Sequence, residues 1–85
     1  MSDHPTSFTG DIPTAIRTAV TAVLPDAVVE VAGGGGHWSL TVTSAGFADK
    51  STLARHRLVM SAIAPLLAGN APPIHAVDTL TTKLP

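Results

Sequence analysis

The sequence predicts an α+β domain with the element order α-β-β-α-β, and three observations lead to it. Apolar residues recur at helical spacing in residues 11–24 and again in residues 51–67. Strand-like patterns occupy residues 27–32, 37–44 and 74–82. A short glycine run joins the first two strands, whereas a helix separates the second from the third. We therefore expect a hairpin plus one parallel strand in a three-stranded mixed sheet, with both helices on one face.

The first helix is predicted between two clear boundaries. Asp11 is suited to cap its N-terminus, Pro13 is tolerated in the first turn, and Pro25 ends it. Its apolar face is predicted to comprise Ile12, Ile16, Ala19, Val20, Val23 and Leu24. Residues 1–10 are polar and lack periodicity, so we expect a disordered tail followed by a single domain at 11–85.

The glycine run at residues 33–36 favours a flexible hairpin loop over a phosphate site. A phosphate loop delivers backbone N–H groups to a helix N-terminus, and these glycines instead join two strands. Neither a GxGxxG nor a GK[ST] motif is present. The strand that follows alternates Trp38, Leu40 and Val42 with polar residues, which predicts one buried face. In the third strand we expect Ile74 and Ala76 on one face and His75, Val77 and Thr79 on the other.

The second helix shows a wide apolar face. We expect Ser51 to be its N-cap and Gly69 its C′ residue, and Pro65 predicts a kink or an early end. The face comprises Leu58, Val59, Ala62, Ile63, Leu66 and Leu67. Helical spacing puts Arg55 and His56 at the margins of this face and Arg57 on the solvated side.

Composition narrows the functional classes. The 85 residues carry a net charge of −1 with only five lysines and arginines, which gives strong non-specific DNA binding no support. Cysteine is absent, so any iron–sulfur role must borrow thiolates from a partner. No apolar run approaches the length of a membrane span, and no secretory signal pattern is present, so we expect a cytoplasmic protein with no membrane association.

An enzymatic function is not indicated, because the sequence has no nucleophile elbow, no histidine pair at i, i+4 and no paired carboxylates on one element.

Two histidines are candidate metal ligands. His75, at the start of the third strand, has two interpretations from the residues alone: an edge histidine bonded to backbone, or a metal ligand. His37 is likewise either a structural residue at the end of a strand or a ligand.

Three sequence segments together resemble the signature of the BolA family. The resemblance spans roughly residues 11–82 and implies a class II KH-like version of the α+β fold, as the pattern predicts. The arginine-rich run and the Ile-His-Ala run occur in the family's order, which makes the pair fairly specific. The matching residues are His37-Trp38 with Val42 and Ser44; Phe47, Lys50-Ser51, Leu53 and the run 55–59; and Ile74-His75-Ala76.

The resemblance implies a non-enzymatic partner of a monothiol glutaredoxin, working in iron–sulfur cluster trafficking or iron sensing. His75 matches a ligand of a [2Fe-2S] cluster whose thiolates come from the glutaredoxin and glutathione, so the isolated chain is expected to hold no cofactor. The second family ligand lies in a longer loop between the first two strands. Here that loop is four glycines, and His37 is the nearest candidate although it matches the start of the strand instead.

Two alternatives remain open. One is a KH-like DNA-binding regulator that uses Lys50, Arg55 and Arg57; the same three residues could instead contact a protein partner. A DNA contact and a protein contact both compete with a local structural role, in which Arg55 and His56 bond nearby backbone and carboxylates. The other is a scaffold domain that lost its cluster site when the loop shrank. The sequence also departs from the family at Asp49, where relatives have glycine.

Overall fold

The computed structural model describes residues 11–85, and the predicted disordered tail at 1–10 lies outside them. The expected α+β architecture and element order are confirmed. The sheet order is β1-β2-β3, with β1 antiparallel and β3 parallel to the central strand β2. The elements are α1 (Ile12–Val23), β1 (Val28–Gly34), β2 (His37–Thr43), a 3-10 turn (Ala45–Phe47), α2 (Thr52–Leu67) and β3 (Ala76–Lys83).

Helix α1 begins as predicted, because the Asp11 carboxylate accepts a hydrogen bond from the Thr14 backbone N–H at 2.9 Å. Its apolar face differs from the prediction at one residue. Val23 is 48% exposed, whereas Leu24, immediately after the helix, is buried. The chain turns there, since the Ala27 N–H bonds the Leu24 carbonyl oxygen, and this turn directs Leu24 rather than Val23 into the core.

The β1–β2 hairpin is tighter than the expected four-glycine loop. Gly33 and Gly34 belong to β1, and Gly34 pairs with His37. Only Gly35 and Gly36 form the turn, with φ angles of 62° and 84°. Two successive positive φ values are what a two-residue type I′ turn requires, and glycine adopts them without a Cβ penalty.

Strand β3 begins at Ala76, two residues later than predicted. A bend at His75 separates buried Ile74 from the strand, so the expected alternation does not extend across it. Val77 pairs with Trp38 and packs against the core, which makes its predicted place on the His75 face wrong. The next β2 residue pairs with Thr79, so Asp78 is an extra, bulged residue.

Helix α2 has the predicted caps. The Ser51 hydroxyl accepts a bond from the Ala54 N–H at 3.1 Å, and Gly69 has a φ of 97°. Pro65 lies in the last turn, and the helix ends two residues later. Among the described residues, no helix is both long enough and apolar enough to cross a membrane.

The core lies between the helices and one sheet face. Trp38 is 8% exposed and belongs to this core. Its buried indole nitrogen, Nε1, has no hydrogen-bond partner among the described residues. The other buried apolar residues are Ile16, Val20, Leu24, Val29, Leu40, Val42, Phe47, Val59, Ile63 and Ile74. The opposite sheet face is left open, and His37 stands at its hairpin end.

Candidate metal-ligand pair and cationic helix face

The hairpin turn brings His37 and His75 together although 38 positions separate them in the chain. The Gly36 carbonyl oxygen accepts hydrogen bonds from the backbone N–H groups of His75, at 2.8 Å, and of Ala76, at 3.1 Å. The two imidazole rings consequently meet edge to face, with centroids 6.4 Å apart and an interplanar angle of 75°. Both histidines are exposed, so the ring pair is open to an incoming group.

Because Gly36 has no side chain, the His75 ring can lie directly against its backbone. The glycine is buried, and a Cβ built on it would lie 2.7 Å from Cγ and 2.8 Å from Nδ1 of His75. Any side chain there would therefore displace the imidazole or the turn. Sequence reasoning missed this role because Gly36 is one of four adjacent glycines that the sequence does not distinguish. The one available signal was its position directly before His37.

Asp78 is a second residue that sequence reasoning missed. Its Oδ1 lies 3.2 Å from Nδ1 of His37, and the two side chains are 55% and 59% exposed respectively. The contact depends on the bulge in β3, and nothing in the alternating pattern of the third strand predicts a bulge at this residue. The hairpin end thus presents two imidazoles and one carboxylate that contacts one of them.

These donors do not by themselves form a metal site. Within residues 11–85, no three histidine, cysteine or acidic residues form a group that could hold a metal ion. Neutral imidazoles are good iron ligands, and two histidines replace two cysteines on one iron in some [2Fe-2S] centres. The pair at His37 and His75 therefore fits a cluster whose other ligands come from another molecule. The chemistry of the donors and their exposure both agree with sharing.

The cationic residues in and just before the first turns of α2 divide between two roles. Arg55 donates through Nε to the Lys50 carbonyl oxygen at 3.0 Å, and its guanidinium lies 5.8 Å from the centroid of the Phe47 ring. Arg55 thus makes local contacts of the kind that the structural interpretation expects. Lys50 and Arg57 are exposed and line an open groove of about 510 Å³ together with Leu53. These two are available to a partner.

The Asp26 carboxylate holds the 3-10 turn that precedes α2. Asp26 accepts hydrogen bonds from the Ser44 hydroxyl at 2.6 Å and the Ala45 N–H at 2.8 Å. These bonds, with that from Ser44 the stronger influence, hold the pKa of Asp26 below its ordinary value of 3.8. They fix the 3-10 turn that places Phe47 in the core. The strand β2, roughly 20 Å long, separates this turn from His37.

Comparison with known proteins identifies relatives. A family model described as BolA-like protein matches residues 8–84. Mouse BolA1 is 32% identical, with a TM-score of 0.69 over 100% of this chain and 74% of that one. The XC975 protein is 34% identical, with a TM-score of 0.61 over 94% and 96%. The BolA domain of SufE1 from Arabidopsis thaliana shares the fold at 24% identity, with a TM-score of 0.71 over 92% and 96%. No curated protein sequence matched significantly.

Proposed function

Because the chain belongs to the BolA-like family, we propose that it is a non-enzymatic partner of a monothiol glutaredoxin and shares a [2Fe-2S] cluster with it. The shared cluster serves iron–sulfur trafficking or iron sensing. His75 and His37 are the ligands from this chain, and the glutaredoxin cysteine and glutathione supply the thiolates. The observation that supports the proposal is the edge-to-face contact of the two exposed imidazoles. The cytoplasmic location remains a prediction.

The tight hairpin bears directly on the choice of second ligand. A loop of only Gly35 and Gly36 has no side chain to offer, but it turns the chain so that the first residue of β2 stands beside His75. His37 therefore occupies the neighbourhood that a ligand on a longer loop would have to reach. On this basis the proposal assigns the second ligand to His37.

Imidazole ligands suit a cluster that is passed on. Histidine in place of thiolate raises the reduction potential of a [2Fe-2S] centre, and solvent exposure tunes it further. The proposed cluster site takes its histidines from this chain and its thiolates from the glutaredoxin and glutathione, so it exists only in the heterodimer. We expect such a cluster to exchange more readily than one held by four cysteines of a single protein.

The test is anaerobic reconstitution of the chain with a monothiol glutaredoxin, glutathione, iron and sulfide, followed by visible absorption and circular dichroism. We expect a heterodimer whose spectrum differs from that of the glutaredoxin homodimer. His75→Ala should abolish the distinct spectrum, and His37→Ala should alter it and accelerate cluster loss. His56→Gln is the matched control, since His56 lies on α2. An unchanged spectrum and an unchanged cluster stability in His75→Ala would refute the assignment.

Two other outcomes lead to the alternatives. A stable heterodimer without spectral change would favour the scaffold domain, which binds its partner but ligates nothing. Absence of any heterodimer would favour the DNA-binding regulator or a scaffold domain with another partner. The observation that supports that regulator is the groove on α2, because Lys50 and Arg57 line it and are both exposed. Their replacement by alanine should then abolish a salt-sensitive complex with duplex DNA, and no complex at low salt would exclude this alternative.

A further inference from the structure

The β-bulge in β3 places a carboxylate against the candidate ligand His37. Trp38 pairs with Val77 and Ser39 pairs with Thr79, so Asp78 is the one residue of β3 without a direct partner in β2. Bulges of this kind redirect a side chain, and they are frequent beside functional sites. Here the redirected side chain is the carboxylate whose Oδ1 lies 3.2 Å from Nδ1 of His37.

We propose that Asp78 is a positioning residue that fixes the ring orientation and tautomer of His37, so that Nε2 is the nitrogen that binds the metal. This inference rests on the proposed function, because it concerns the ligand set of the shared cluster. An ionised carboxylate only accepts hydrogen bonds, so a neutral His37 must carry its proton on Nδ1 to bond Asp78. The lone pair is then on Nε2. Metal-binding histidines commonly donate their other ring N–H to a carboxylate in this way.

The contact is better explained as positioning than as ligation or as stabilisation of the fold. Asp78 does not complete a three-residue metal group with the two histidines among the described residues. Both side chains are also more than half exposed, and even a fully charged pair at such exposure contributes little to the free energy of unfolding. Removal of the carboxylate should therefore leave the fold intact, and any effect on the cluster should come through His37.

The first readout needs no cluster. Long-range ¹H–¹⁵N correlation spectra of the isolated chain in alkaline buffer report which ring nitrogen of His37 carries the proton. We expect the Nδ1–H form in the native chain and a shift towards Nε2–H in Asp78→Ala, because the Nδ1 proton loses its acceptor. Asp78→Asn should retain part of the Nδ1–H population, since its amide oxygen still accepts. Glu30→Gln is the matched control, as it removes one exposed carboxylate elsewhere in the sheet.

The second readout uses the glutaredoxin heterodimer. Cluster release to a chelator should be about 10-fold faster in Asp78→Ala than in the native chain or Glu30→Gln, which is the lower end of the usual effect of losing such a partner. An unchanged tautomer in Asp78→Ala would overturn the inference, and so would a shifted tautomer with unchanged release.

The two readouts also separate this inference from the proposed function. If the native chain forms no shared cluster, the proposed function fails and Nε2 ligation fails with it. A tautomer shift in Asp78→Ala would still show that Asp78 orients His37. If the native chain forms the cluster and neither readout responds to Asp78→Ala, the proposed function stands and Asp78 is an ordinary surface residue.

Discussion

The two ends of β2 are built in different ways. At its start, His37 and His75 are brought together by backbone hydrogen bonds to the Gly36 carbonyl oxygen. Beyond its end, the 3-10 turn is held by the carboxylate of Asp26, which bonds Ser44 and Ala45. The approach of the two histidines thus depends on backbone groups and on the small size of a glycine, with the Asp78 carboxylate in contact with the His37 ring alone, whereas the turn at the α2 end is held by an ionised side chain.

This difference indicates which side chains are available for function at each end. Backbone groups and a glycine bring the two histidines together, and both imidazoles are exposed although His37 contacts Asp78. At the α2 end, Arg55 already bonds the Lys50 carbonyl oxygen and covers Phe47. Ligand chemistry is therefore better supported at the histidine end, and a change at one end should leave the other largely unaffected.

The largest effect is expected from Gly36→Ala. Alanine at a φ of +84° is strained, and its Cβ would lie 2.7 Å from the His75 ring. We expect the free energy of unfolding to fall by about 2 kcal/mol, from the cost of a strained backbone and the added steric contact. The altered ring pair should also destabilise the proposed shared cluster. Urea unfolding and cluster circular dichroism measure the two effects.

Gly34→Ala is the control for this variant. Gly34 lies in the same hairpin, and a Cβ there would have no atom within 4 Å. We expect little change in either the unfolding midpoint or the cluster spectrum. Equal losses of stability in Gly34→Ala and Gly36→Ala, with unchanged His75 resonances in Gly36→Ala, would contradict this prediction. The position of the His75 ring would then not depend on its close approach to Gly36.

Acid is expected to weaken the turn at the α2 end through Asp26. The hydrogen bonds from Ser44 and Ala45 hold the pKa of Asp26 low, so they contribute stability that is fully present above pH 3.8. That contribution is lost as the pH falls through the folded-state pKa. The protection of amide hydrogens in the turn at Ala45–Phe47, taken relative to their intrinsic exchange rate at each pH, should therefore fall at acid pH before protection at the hairpin does.

Asp26→Asn isolates this dependence. The variant should be less stable than the native chain at neutral pH and should approach it at low pH, where the native Asp26 is itself protonated. Asp11, whose pKa is lowered by Thr14, is unchanged in the variant and provides an internal reference. Parallel stability curves for the two proteins between pH 2 and 7, read from urea midpoints, would show that Asp26 has no such role.

The sequence predicted most of the fold because its signals are local. Ser51 and Asp11 are caps that a few neighbouring residues define, and the confirmed order of elements follows from apolar periodicity. The candidate site was less accessible, because the contact of His37 with His75 depends on a turn and on sheet pairing. The bend at His75 that changes the face of Val77, and the bulge that moves Asp78, both depend on how β3 packs against β2.

The smallest effect is expected from Asp49→Gly. This variant tests the positive φ angle that the chain has at Asp49, just before α2. Asp49 has a φ of 63°, the only positive value among the described non-glycine residues, at a position where the family pattern has glycine. Left-handed backbone costs an L-residue roughly 1–2 kcal/mol, although aspartate tolerates it better than most. Glycine removes that cost but adds entropy to the unfolded chain, so we expect a net stabilisation of about 0.5 kcal/mol.

Asp49→Ala provides the matched control, because alanine has the Cβ but no side-chain oxygen for local hydrogen bonding. It should destabilise the protein by a similar amount, as measured by urea midpoints at constant slope. Neither variant should change the cluster spectrum or the His37 tautomer, since the contacts of the ring pair with Gly36 and Asp78 lie at the other end of β2. A spectral change in either variant would mean that the two ends are coupled through β2, and their independence would have to be abandoned.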